Sequence, residues 1–341
     1  MDSKGSAIID LTEAAYDLEL ADQAWLPTIL ERGLPALEQG LGVAGYEYGH
    51  PRDGGPVELR NLYVASGPAD FAERHLRALS TTPPEVLREQ LGRGSATTGS
   101  EYSKDHPEQL AHYVSHVDYC KDVLFLTAID PQGAGVAIVA PLGEVTTLSP
   151  QEAQRWQMLA AHVEAGHRLR QGLATKAAAD LAGTELPHDA EAILDSSTFR
   201  ISDAIGPARK RSSTERLRRA AVAVDRARGA MRSTDPDTAL EIWKALVQGR
   251  WSMVDWFDTD GRRFVLALPN SPDVLDPRGL TERESQVVTY AASGHTNKMI
   301  AYRLGLSSSH VSLLIRSAMR KLGVRTRAQL VKKIRDLQAL Q

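Results

Sequence analysis

Residues 280–323 read "LTERESQVVTYAASGHTNKMIAYRLGLSSSHVSLLIRSAMRKLG", and this stretch decides what the chain is built to do. Gly294 and Gly305 cut it into three pieces, and each piece opens on a hydroxyl residue able to cap a helix. Thr281 is followed three residues later by Glu284, which completes a capping box. Thr296 caps the second piece, Ser307 or Ser308 caps the third, and Gly323 stops it. Two short helices joined by a tight glycine-containing turn have the layout of a helix-turn-helix.

The third helix has two chemically distinct sides. At about 100° per residue, Val311, Leu314, Ile315, Ala318 and Leu322 share one side and should bury against the first two helices. The other side carries Ser309, Ser312, Leu313, Arg316, Ser317 and Arg320. That set suits the major groove: arginine can take guanine in a bidentate bond, serine can bond phosphate or base, and leucine can cover a thymine methyl. The helix start at Ser307 and Ser308 offers free N–H groups to a phosphate. Lys298, His310 and Lys321 complete the expected DNA-contact set.

Charge is shared unevenly along the chain. Residues 278–341 hold 12 Lys/Arg against 3 Asp/Glu, whereas the other 277 residues hold 28 against 40. A basic end on an acidic body points to a polyanion partner for that end alone. At 341 residues the chain should divide into more than one domain. Its one cysteine, Cys120, excludes an intramolecular disulfide and suits a reducing compartment. No apolar run approaches the roughly 20 residues that span a bilayer, and the acidic start lacks a signal-peptide profile, so a cytoplasmic location is expected.

The expected architecture is multidomain, with α+β sensor domains followed by an all-α four-helix DNA reader. Residues 1–148 form a first α+β domain, in which "VLFLTAI" and "GAGVAIVAPLG" flank the turn "DPQG" as a hairpin. A long helix capped by Ser149 fills most of residues 149–187 and should connect two domains. Residues 188–270 form a second α+β unit with two short strands, a basic amphipathic helix over 212–232, and a hairpin turning at Asp260-Gly261. Residues 271–277 are a proline-containing linker, and 278–341 the DNA-binding domain.

The C-terminal stretch closely resembles the LuxR/FixJ-type DNA-binding domain over about 55 residues. Leu280-Thr281, Arg283-Glu284, Gly294, Asn297-Lys298, Ile300-Ala301, Leu304, Ser307, Val311, Lys321-Leu322-Gly323-Val324 and Arg327 carry the match. The resemblance implies base contacts at Ser312, Leu313 and Arg316, and homodimer contacts at Leu330, Ile334 and Leu337. It also implies a transcriptional regulator acting on double-stranded DNA and working with RNA polymerase. Departures lie at His310, where the family usually has Thr, near Ser312, where it has a basic residue, and at Leu314, where it has His. Residues 123–173 resemble the closing hairpin and final helix of a GAF-like sensor, and 239–272 a PAS-like unit, both more weakly.

Other inputs fit less well. A phosphoacceptor receiver needs an acidic pair and a repeating βα pattern, and Asp130 stands alone. The aromatic order of a homoserine-lactone pocket is not traceable around Trp25, Tyr46 and Tyr63, and there is no P-loop. His112, His116 and Cys120 are spaced i, i+4, i+8 and could bind a metal or haem only if one helix carried all three. Asp255, Asp258 and Asp260 lack the closing Glu of a calcium loop. No nucleophile–base pair is visible, so no enzyme is expected and no cofactor is assigned. A small-molecule ligand or a regulatory protein would supply the signal. The competing reading is an anti-activator or scaffold that binds proteins and not DNA.

Overall fold

The computed structural model describes residues 3–49, 56–92, 94, 96–104, 106–130, 133–178, 185–247, 249–270 and 280–338. Helices α1 (Ser3–Ala15) and α2 (Asp22–Leu37) pack on each other. Strands β1 (Val43–Gly49) and β2 (Glu58–Ser66) lead to α3 (Phe71–Thr81) and α4 (Pro84–Gly92). The short β3 (Ala96–Thr98) and α5 (Gly99–Tyr102) precede α6 (Pro107–His116) and the hairpin of β4 (Asp122–Ile129) and β5 (Ala134–Leu142). All five strands pair antiparallel in the order β2-β1-β5-β4-β3.

The β4–β5 hairpin reads as an unbroken apolar run because the sheet is covered on both faces. Leu124, Leu126, Ile138 and Ala140 join α1 and α2 in one core, while Phe125, Ala137 and Val139 join α3 and α6 in another. Asp122 fastens the start of β4 although it is fully buried. Its carboxylate accepts from the Ser100 amide (2.9 Å) and hydroxyl (2.6 Å), the Val123 amide (2.8 Å) and the Thr146 amide (2.9 Å).

Helix α7 (Pro150–Ala178) starts as expected: Ser149 Oγ accepts from the Glu152 amide and Glu152 returns a bond to the Ser149 amide. It is not a free connector, however. Trp156, Leu159, Val163 and Leu169 are buried, and the helix touches β3, β4 and β5 on one side and α1 on another. The second unit comprises β6 (Ala192–Asp195), β7 (Ile201–Ala204), α8 (Arg211–Arg228), α9 (Met231–Thr234), α10 (Pro236–Ile242), β8 (Trp251–Phe257) and β9 (Arg263–Pro269). Its four strands pair antiparallel in the order β7-β6-β9-β8. α10 packs on both α1 and α7, so the two expected domains share one continuous core. The basic helix expected over 212–232 is interrupted at Gly229, which caps α8 before α9 begins.

Two candidate clusters dissolve. α6 ends at His116, so Cys120 lies beyond the helix and turns into the core, its thiol bonded to the Val117 carbonyl and its pKa pushed up to about 11 by burial. His112 and His116 both meet Thr81 Oγ1 on the surface, and among the described residues no group of three ligand-type side chains is placed to hold a metal. Asp258 spends its carboxylate on the amides of Asp260 and Arg262, closing the β8–β9 turn with Gly261 at φ 74°. The linker 271–277 lies outside the described residues.

Besides His167, three histidines are buried among the described residues: His75 among Tyr46, Phe71 and Tyr113, His162 on α7, and His295. Burial holds their pKa values down, to about 4 for His75 and about 3 for His162 and His295. The folded chain therefore keeps them neutral where the unfolded chain, with histidines near 6.5, takes up protons. Stability is present above about pH 6.5 and falls as the pH drops toward 4, by on the order of 1.4 kcal/mol per pH unit per histidine. Urea midpoints measured from pH 7 to 4.5 should fall steadily. A midpoint constant between pH 6.5 and 5 would show that these imidazoles are charged in the folded chain.

Candidate nucleic-acid interface

The last four helices, α11 (Glu282–Ala292), α12 (Asn297–Leu304), α13 (Ser308–Lys321) and α14 (Arg327–Gln338), form a unit with its own core. Each cap is where the side-chain chemistry demands it. Thr281 and Glu284 make both bonds of the capping box, Thr296 accepts from the Met299 amide, and Ser307 accepts from the His310 amide. Gly305 ends α12 at φ +61°, a left-handed conformation that other residues adopt only under strain. Val311, Ile315, Ala318 and Leu322 are buried as their spacing requires, with Leu314 half-buried beside them.

The outward side of α13 presents Ser309, Leu313, Arg316 and Arg320, one below another at successive turns. Leu313 is 56% exposed, an isolated apolar side chain between two serines and two arginines. Ser307 and Ser309 hydroxyls lie 3.0 Å apart at the helix start, with Ser308 and His310 exposed beside them. The other expected contacts are engaged within the chain. Ser312 donates to the Ser308 carbonyl and accepts from Asn297 Nδ2 (3.0 Å), and Asn297 is held in turn by Arg327. Lys321 pairs with Glu284 at 2.6 Å. Burial would raise the Glu284 carboxyl, but Lys321, Ser317 and Thr281 outweigh it and hold the group at about 2. Lys298 bonds Gln154 of α7 (3.1 Å).

Leu330 and Ile334 are not on a free side of α14. They are buried in the core of their own domain, where α14 packs on α11, so each is already occupied within one chain. The side chain of Leu337 lies outside the described residues.

This unit is firmly seated on the body, a feature that the sequence pattern barely signals. Arg303, on the inner side of α12, pairs with Glu164 of α7, the two side chains only 1% and 2% exposed. Glu164 also takes the Tyr290 hydroxyl of α11 and Arg168 of its own helix (2.8 Å), and Arg303 reaches the Gly94 carbonyl (3.1 Å). A second link runs through His162. Tyr302 donates to the Leu240 carbonyl (2.7 Å), so His162 Nε2–H donates to the Tyr302 oxygen (2.8 Å) and His162 Nδ1 accepts from Tyr16 (3.0 Å). The backbones also meet: a Cβ at Gly305 would stand 1.8 Å from the Leu246 carbonyl oxygen. One signal was available, since Arg303 falls at helical spacing between Ile300 and Leu304, on the apolar side of its helix. Two cavities flank this seat, one of about 470 Å³ between the first sheet and the α11–α12 turn and one of about 440 Å³ between α7, α10 and α12.

Capped helices, a left-handed glycine turn and an exposed serine–arginine stripe define a helix-turn-helix DNA reader. Residues 278–334 match the family described as bacterial regulatory proteins, luxR family. A nitrate/nitrite response regulator protein homolog of Haemophilus influenzae (strain ATCC 51907 / DSM 11121 / KW20 / Rd) is 35% identical over 97 residues, 28% of this chain. Those residues span 44% of that protein, less than half its length. The solved structure of SdiA in complex with octanoyl-rac-glycerol aligns at a TM-score of 0.31 and 11% identity over 92% of this chain and 87% of that one, a likeness too low to carry a fold assignment. No helix among the described residues is long and apolar enough to cross a membrane.

Glu164→Gln should leave Arg303 and Arg168 buried without a counter-charge and lower stability by about 3–5 kcal/mol in urea denaturation. Replacing Glu164, Arg168 and Arg303 together by methionine should recover most of the loss. A Glu164→Gln protein within about 1 kcal/mol of the parent would show that charge does not hold the seat.

Proposed function

We propose that this chain is a sequence-specific transcriptional regulator that binds double-stranded DNA as a homodimer, in the cytoplasm, and acts through RNA polymerase. The observation that carries the reading is the outward stripe Ser309, Leu313, Arg316 and Arg320 on a helix capped by Ser307, within the matched domain. Arg316 and Leu313 take base edges, Arg320 takes phosphate, and the Ser307–His310 helix start takes a second phosphate. Ser312 contributes by fixing Asn297, and through it Arg327, behind the reading helix.

The body is the input part. Residues 1–148 act as a GAF-like domain and 188–270 as a PAS-like domain, with α7 between them. The β4–β5 hairpin packed against α7 supports the first assignment, and the β8–β9 hairpin within its four-stranded sheet supports the second. A small molecule or a regulatory protein that shifts α7 would move the seat of the reader, and half-site spacing makes a dimer's affinity sensitive to such a shift. No catalytic role is assigned.

Selection from a random duplex pool followed by fluorescence anisotropy tests the reading. Arg316→Ala should weaken the selected site by about 1–3 kcal/mol and relax its sequence preference at one position. A change below about 0.5 kcal/mol would remove Arg316 from the groove. Failure of the parent chain to enrich any sequence would favour the protein-binding anti-activator instead.

A further inference from the structure

We propose that helix α8 is a second DNA contact, a stripe of arginines that grips the phosphate backbone beside the operator without reading its sequence. The proposal rests on the DNA-binding reading above. Residues 209–232 hold nine Lys/Arg against two acids, and the remainder of residues 1–277 holds 19 against 38. Positive charge is thus gathered onto one segment of a strongly acidic body. Part of it serves the fold: Arg228 pairs with Asp255 and Glu13, and Arg232 with Asp10 and Glu13.

The rest faces solvent. Ser213, Leu217, Ala221, Val224 and Ala227 bury one side of α8, while Arg211, Arg218 and Arg226 are exposed on the other. Their spacing of seven and eight residues keeps them on one side over a length of about 22 Å, along which a duplex presents about a dozen phosphates. Glu215, the acid on this side, is neutralised by Arg219 at 2.9 Å. Arginine forks match phosphate oxygens better than a point-charged lysine does. A protein partner would need an apolar core to its interface, and the stripe offers only Val222, 41% exposed. No aromatic side chain interrupts α8, so the stripe suits the backbone of a duplex more than stacked single-stranded bases. The helix also ends close to the reader. Its Arg228 lies over the Trp243 ring at 4.8 Å, and the Trp243 carbonyl accepts from Tyr302 of α12 at 3.3 Å.

The test uses the full chain and a 60-base-pair duplex of random sequence, with affinity measured across a salt series. The triple variant R211A/R218A/R226A should bind more weakly and reduce the slope of log affinity against log salt by about 2.7, from roughly 0.9 per phosphate contact. The corresponding triple lysine variant should keep most of the slope. An unchanged slope in the alanine variant, with the parent binding normally, overturns the stripe and leaves the helix-turn-helix reading intact. A parent that does not bind duplex at all overturns both. Normal DNA binding with lost transcriptional output would assign the face to a protein and also overturn the proposal.

Discussion

The carboxylate of Glu164 is the point through which the DNA-reading unit is tied to everything else. It is buried, so it is tolerable only while Arg168, Arg303 and the Tyr290 hydroxyl all reach it. A buried ion pair of this kind adds little net stability over a well-packed apolar pair, yet it heavily penalises any arrangement that separates its members. Its contribution is therefore to geometry. The four groups lie on two different parts of the protein, Glu164 and Arg168 on α7 and Tyr290 and Arg303 on α11 and α12 of the reader, and they agree only in one relative placement. The Gly305–Leu246 backbone contact and the Tyr16–His162–Tyr302 relay demand the same placement.

α7 carries that constraint inward. Its first half meets the closing hairpin of the first sheet, its middle holds His162 and Glu164, and α10 of the second unit leans on it from another side. The first sheet, the second unit and the reader therefore rest on one helix. The two cavities beside the seat are lined by residues of both the body and the reader, Gln157 and Met299 among them.

The reader was legible in the sequence because its determinants are local. Caps, glycine stops and a 3.6-residue apolar period all act within a few residues, so Thr281, Thr296, Ser307 and Gly305 fall where the pattern put them. The β4–β5 and β8–β9 hairpins were legible for the same reason. What was not legible depends on distant partners. Arg303 is marked only by its place on the apolar side of α12, and its partner Glu164, 139 residues away, cannot be read from that. Leu330 and Ile334 are apolar at helical spacing, which fits a dimer face and a domain core equally, and only packing on α11 decides between them. Periodicity likewise showed α7 as amphipathic without saying that neighbours would close over it, which turned an expected connector into the centre of one shared core.

The reader's two working surfaces do not share a residue. Tyr290, Tyr302, Arg303 and Gly305 seat the unit on the body, while Ser309, Leu313, Arg316 and Arg320 face outward from another helix. The outward four can therefore change without disturbing any contact that seats the unit on the body. A unit lacking the inner four would keep its outward face and lose its fixed placement on the body.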